Sequence, residues 1–314
     1  MRKLAKLRSG DAQKKRIENN LLPIFKDAPI ASITDLDILG KVVNPRVIET
    51  PAMARQLFND LGGFFSWVID QRIYGLKASP CFTIKISKIV GKLKPRQRVL
   101  NDDEVRALWI AATRLPYPVG PLYRGLMLSA LRVREMSNTD RHEWNLRGNS
   151  WEWTIPAARM KGNIPHVVPV TADLREIYDA CPKKGRFLLS FDGGETAMTI
   201  GGNVKEMIDA EMLNVLREIA VERGDDPKKV VLAHWTNHDI RRTVRSRMSR
   251  LKGISLDARE AVLAHVKPGI QRVYDVYEYL DEKREALELW AAWLRQIVDP
   301  PPANVVPIRK DATA

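Results

Sequence analysis

The sequence predicts a mainly α-helical protein with one small antiparallel β-sheet, built as two domains. Three observations carry this expectation. Apolar residues recur at helical spacing through most of the 314 residues. Apolar–polar alternation is confined to residues 150–170. A stretch bearing Lys85, Lys88, Lys92, Lys94, Arg96 and Arg98, broken by Gly91 and Pro95, separates two periodic regions and reads as a basic interdomain linker. The length also exceeds the roughly 100–200 residues of one domain.

From Ala12 to about Val90, Ile17, Leu21 and Leu22 repeat at helical spacing, and Pro23 and Pro29 punctuate. Ala52 to Ile73 carries Ala54, Leu57, Phe58, Leu61, Phe64, Phe65, Trp67 and Val68 on a broad apolar stripe, which predicts a small helical bundle. The expected division is 1–90 for this domain, 91–100 for the linker, 101–299 for a second domain, and 300–314 for a disordered tail after Pro300-Pro301-Pro302. The second domain opens on Asn101-Asp102-Asp103-Glu104, where short polar side chains cap free amides and acidic groups suit the positive helix end. Gly120 to Ser129 is an apolar helix with Arg132 just past its end. Trp151, Trp153 and Ile155 alternate with polar residues ahead of Pro165, Val167 and Pro169, predicting a hairpin with Lys161 and Gly162 at or near its turn. Everything from Ala172 onward reads as mainly helical. The stripe of Ala286, Leu287, Trp290, Trp293, Leu294 and Ile297 reads as core.

Fifty-one Lys plus Arg against thirty-eight Asp plus Glu gives +13, and the pI is near 9.8, as for a protein that neutralises phosphates. Residues 1–98 hold nineteen basic and eight acidic residues, so +11 of that charge lies in the first third. The asymmetry predicts an N-terminal module that grips DNA backbone broadly, joined to a module whose cations are placed individually. Cys81 and Cys181 lie far apart without a CxxC or Cys/His cluster, so buried reduced thiols are expected. No apolar run approaches the roughly 20 residues that span a bilayer, and no signal peptide is read, so a cytoplasmic protein without membrane contact is expected. His234 and His238 stand four apart without a third ligand, and Gly193-Gly194 and Gly201-Gly202 precede no GKS or GKT. Neither a metal nor a cofactor is expected.

The motifs Ser129-Ala130-Leu131-Arg132-Val133-Arg134-Glu135, His238-Asp239-Ile240-Arg241-Arg242-Thr243 and Leu263-Ala264-His265, with Tyr274 nine residues after that histidine, occur in this order. With Ile155 to Lys161, Val168-Pro169-Val170 and Tyr274 to Arg284, they resemble the tyrosine recombinase (phage integrase) family, most of all its prophage and genomic-island branch. The resemblance runs from about residue 15 to about residue 298. It implies a helical core-binding domain followed by a catalytic domain, and a site made of Arg132, Lys161, His238, Arg241, His265 and Tyr274.

The chemistry explains the residue types. A phosphodiester attacked by a side-chain oxygen gains charge on its non-bridging oxygens, and arginine meets that charge with a planar fork that stays ionised. Arg132 and Arg241 would clamp the phosphate in place of a metal. Tyr274 is the expected nucleophile; a phenol of pKa about 10 attacks weakly unless cations or a base help it. His238 would accept its proton and donate to the phosphate, with His265 orienting the phosphate. Lys161 on the hairpin tip would protonate the leaving 5′-oxygen, with Arg159 as its near competitor. Glu135 would orient a cation. Tyr277 and Tyr279 would support the following helix, and His142 and His166 read as structural or surface groups.

The resemblance further implies double-stranded DNA as partner, a homotetramer on two duplexes, and an accessory DNA-bending protein as a candidate partner. It also offers a second use for the last helix, docking on a neighbouring protomer. Members of this branch usually carry an additional N-terminal arm-binding domain, which this chain is expected to lack. Two rival readings follow: a truncated integrase that binds core sites without efficient recombination, and a topoisomerase-like or resolving strand transferase.

Overall fold

The structure, a computed structural model, describes residues 10–72, 74–92, 96–148, 150–265 and 278–299. Tyr274, Tyr277, Lys94 and the tail expected at 300–314 lie outside the described residues. The chain divides into two compact units between Arg96 and Gln97. Both are mainly helical, and the second carries a small sheet.

The first unit contains α1 (Gly10–Asn20), α2 (Leu22–Phe25), α3 (Asp35–Ile38), which continues into a π turn at Leu39–Val43, α4 (Pro51–Gln71) and α5 (Ile86–Ile89). Pro51 opens α4, where its missing amide costs nothing. Leu57, Leu61, Phe65 and Val68 of α4 are buried, the first three in a core with Leu21, Ile38, Val42 and Val43. The stripe is narrower than expected, because Phe64 and Trp67 face outward, 41% and 42% exposed. Asp60 is buried on α4 and accepts from Arg16 at 2.6 and 3.0 Å and from Gln13 at 3.0 Å, which joins α1 to α4.

The second unit contains α6 (Asp102–Arg114), α7 (Val119–Ser129), α8 (Val133–Ser137), β1 (Trp144–Asn145), β2 (Glu152–Ile155), β3 (His166–Pro169), α9 (Ala172–Ala180), α10 (Gly202–Arg223), α11 (Asn237–Met248), α12 (Leu256–Val262) and α13 (Leu280–Val298). The cap expected at the start of α6 is present and takes the form of a capping box: Glu104 donates its amide to Asn101 Oδ1 at 2.9 Å, and Asn101 donates its own to Glu104 Oε2 at 2.9 Å. The sheet has the order β1-β2-β3, antiparallel throughout, with Trp153 opposite Val168 and Ile155 opposite His166. Lys161 lies in the turn between β2 and β3, as the hairpin reading places it.

Residues 181–201 depart from the helical expectation. They run as irregular chain tied to the α8–β1 connection by an isolated bridge between Asp140 and Phe187 and by Leu188 donating to the Thr139 carbonyl at 2.9 Å. The α13 stripe is core: Ala286, Leu287, Trp290 and Leu294 are buried, Trp293 and Ile297 pack against them, and the Trp290 indole donates to the Met127 carbonyl at 2.7 Å. Within the described residues that face is therefore used inside its own unit. Cys81 and Cys181 are buried and free.

Candidate active site

The site begins where α7 ends. Ala130 adopts a left-handed conformation, φ 54°, a position that glycine usually fills, and turns the chain so that Arg132 caps α8. Arg132 donates its backbone amide to Glu135 Oε2 at 2.9 Å and its Nη1 to Glu135 Oε1 at 2.6 Å. Glu135 is 4% exposed, so a buried carboxylate fixes the guanidinium while the arginine side chain stays partly open. This is the orienting contact expected of Glu135.

Helix α11 supplies two more groups. Thr236 and Asp239 form its capping box, with the Thr236 amide donating to Asp239 Oδ2 at 2.8 Å, and Arg242 donates to Asp239 Oδ1 at 2.9 Å. The helix so fixed buries Arg241 and leaves His238 exposed. Arg241 donates Nη1 to the Ala130 carbonyl at 2.8 Å and Nη2 to the Leu263 carbonyl. Both acceptors are C-cap residues, Ala130 of α7 and Leu263 of α12. The guanidinium thus sits between two negative helix ends, which compensates part of its burial. Burial and the charge of Arg132 lower its pKa to about 10, so it remains cationic at neutral pH.

Burial and the fields of Arg242, Arg241 and Arg132 hold His238 below the ordinary histidine range, leaving it neutral and able to accept a proton at pH 7. His265 hydrogen-bonds through Nδ1 to Glu260 Oε2 at 2.5 Å. Burial would raise the Glu260 carboxyl, but hydrogen bonds with His265 and from Arg245 outweigh it and hold the group below the usual carboxylate range. A histidine whose Nδ1 is held by a carboxylate presents Nε2 outward. Glu260 also acts on Arg241.

Arg132, His238 and Arg241 therefore share one electrostatic environment, with His265 joined to it through Glu260. Lys161 stands on the exposed turn, without a hydrogen bond or ion pair to any described residue. Its competitor Arg159 is committed instead, to Glu143 and, at 2.5 Å, to the Glu135 carbonyl. Tyr279 caps α13 with φ 53°. Sequence reasoning passed over Glu260 and Lys283, gave Asp239 no role within its motif, and left His166 as either structural or surface, which its burial settles as structural. The Thr236/Asp239 box was legible as a T-x-x-D pattern, and strand alternation with Val168 places His166 inward. Glu260 and Lys283 give no local signal.

Comparisons with known proteins bear on the sequence and the fold. No family model matches the sequence. The chain is 26% identical over 290 residues to the prophage integrase IntZ of Escherichia coli (strain K12), covering 88% of this chain and 63% of that protein. A lambda integrase dimer bound to a COC′ core site shares the fold at a TM-score of 0.60 and 15% identity, over 83% of this chain and 89% of that one. The chain is similar in sequence to prophage integrases and shares the fold of lambda integrase, a tyrosine recombinase. A lambda integrase tetramer bound to a Holliday junction shares the fold too, at a TM-score of 0.60 and 14% identity over 85% of this chain and 73% of that one. Matched stretches span 31 to 63% of the lengths of the curated relatives. Among the described residues, no helix is long and apolar enough to cross a membrane.

Proposed function

We propose that the chain is a site-specific DNA recombinase that cuts and rejoins strands through a 3′-phosphotyrosyl intermediate. One observation carries the reading: Arg241 is a buried cation whose hydrogen bonds go to backbone carbonyls and not to a carboxylate, beside Arg132. Glu135 and Glu260 act on that charge without hydrogen-bonding it, a buried charge lacking a directly bonded anion is costly, and a phosphate would supply one. Arg132 and Arg241 hold the non-bridging oxygens, and His265 Nε2 donates to the same phosphate. Tyr274 attacks phosphorus, His238 takes the phenolic proton, and Lys161 protonates the departing 5′-oxygen. The free 5′-hydroxyl of a partner strand reverses the step, so no external energy source is needed.

The first unit, with the basic connection after it, is assigned to gripping DNA at core sites, and four copies on two duplexes to the exchange. The lambda integrase complexes support both assignments by analogy of fold. On the second unit, a surface depression of about 350 Å³ is lined by Arg242, Arg245, Ser246, Ser249 and Arg259, which suits further backbone phosphates. Raising salt from about 50 to about 200 mM is expected to weaken binding by roughly a thousandfold. A filter-binding titration with a flat salt response contradicts a phosphate-dominated interface.

The deciding experiment incubates the protein with nicked, labelled duplexes spanning the junctions of its element and resolves them on a denaturing gel. A protein–DNA adduct is expected, and Tyr274→Phe is expected to remove it while leaving binding intact. Binding without any adduct supports the truncated, DNA-binding reading. An adduct that survives Tyr274→Phe moves the nucleophile to another residue.

A further inference from the structure

Arg159 closes the short turn Ala157–Arg159, between β2 and the exposed loop that carries Lys161. Its guanidinium spans two acceptors: Nη1 donates to Glu143 Oε2, and Nη2 to the Glu135 carbonyl at 2.5 Å. The Glu143 side chain is 9% exposed, and the same Oε2 accepts from the indole of the buried Trp153 at 3.0 Å, so the carboxylate is itself fixed to β2. A shielded pair with a third donor holds its geometry far better than an ion pair on the open surface.

Glu135 serves two arginines. Its carboxylate accepts from the Arg132 amide and Nη1. Its carbonyl lies in the last turn of α8, where helix carbonyls lack an intrahelical donor, and Thr139 Oγ1 approaches it only at 3.5 Å. The Arg159 guanidinium satisfies that carbonyl and suits the negative helix end. Along the chain, Met160 is buried in the core, while the five residues from Lys161 to Pro165 are exposed. The held segment therefore stops one residue ahead of the Lys161 ammonium, and the chain is next fixed where His166 pairs with Ile155.

The geometry points to Arg159 as a positioning residue for the leaving-group acid: its grip on Glu143 and on the Glu135 carbonyl fixes the base of the Lys161 loop to the helix that aims Arg132. The inference rests on the reading of Lys161 as the acid. In that step the P–O5′ bond breaks as the bond from Tyr274 Oη to phosphorus forms, the phenolic proton goes to His238, and the Lys161 ammonium proton passes to O5′. A loop base that slips by about an ångström carries the ammonium out of reach, and misplacement of that size costs roughly a hundredfold.

The test compares single-turnover cleavage, by the full chain, of two nicked duplexes with the adduct-forming sequence. One is ordinary; the other has sulfur in place of the scissile 5′-oxygen, and a thiolate departs without needing an acid. Arg159→Met is expected to slow the oxygen duplex by about 30- to 100-fold and the sulfur duplex by less than about 3-fold. Lys161→Ala is expected to show the same selectivity. Adding Arg159→Met to Lys161→Ala is expected to slow the oxygen duplex by less than about 3-fold more, because the acid it positions is already gone. Arg159→Lys keeps a cation for Glu143 without the fork that spans both acceptors, so it is expected to recover only in part, to about 5- to 10-fold below the parent.

A folded Arg159→Met protein that slows both duplexes alike overturns the inference. So does a double variant slower than Lys161→Ala by the whole factor of Arg159→Met, since Arg159 would then act independently of the acid. If Arg159→Met melts below the assay temperature, Arg159→Lys is put through the same comparisons with the same outcomes. If Lys161→Ala slows both duplexes alike while the Tyr274-dependent adduct persists, the acid reading is what failed, and the positioning role falls with it.

Discussion

Arg241→Ala is expected to lower the rate of covalent adduct formation by about three orders of magnitude, while DNA binding falls by no more than about tenfold. Removing one preorganised donor to a developing charge costs roughly 100- to 1,000-fold, and a guanidinium supplies more than one such donor. The same change is expected to destabilise the protein. It leaves the Ala130 and Leu263 carbonyls without their donor, at about 1–3 kcal/mol each, offset in part by relief of a buried charge. Arg132→Ala is the control: its side chain is partly exposed and contacts the adjacent Glu135, so a comparable kinetic loss is expected with a smaller shift in urea midpoint. Equal losses in binding and cleavage for Arg241→Ala would place it among contacts that merely position the duplex.

Acidification from about pH 7 to about pH 5 is expected to cost about 2 kcal/mol of stability through His166 alone. Its folded pKa, about 3, lies below the unfolded value of about 6.5, so across that interval the unfolded chain binds the proton and the folded chain does not. Stability therefore falls as pH drops below the unfolded value, and the loss levels off only near the folded one. The imidazole faces Lys283, Arg241 and Arg132, each of which opposes its protonation. His238, also lowered, acts in the same direction. Glu260 and Asp140 have lowered carboxyl values, so their contributions are lost at more acid pH and do not fall in this window. Urea midpoints at the two pH values, for the parent and for His166→Leu, measure the effect. An unchanged difference in the variant would mean that another group carries it.

What the sequence reveals and what it hides divide along contact range. The cap at Asn101, the apolar helix ahead of Arg132 and the hairpin around Lys161 rest on interactions spanning a few residues, and each leaves a pattern in adjacent letters. The seat of Arg241 joins residues 111 apart, and nothing near either residue announces it. The irregular stretch 181–201 is held by the α8–β1 connection, so its own letters do not specify its path. His166, read as structural or surface, was left open for a different reason. A histidine in a short strand suits a wet face equally well, and here the parity shared with Val168 decides in favour of the interior.

Leu100 shows where the molecule can be divided. Its side chain is 1% exposed in the second core, its amide donates to Thr243 Oγ1 at 2.9 Å, and its carbonyl accepts from Arg247 at 2.9 Å. Thr243 lies two residues beyond Arg241 on the same helix, so the register of the incoming chain is set by the rod that carries Arg241. Severing the polypeptide ahead of Gln97 leaves that anchorage whole; severing it at the cap of α6 strips one side of α11 of its neighbour. The natural seam of the protein therefore lies several residues upstream of the first regular helix of the second unit.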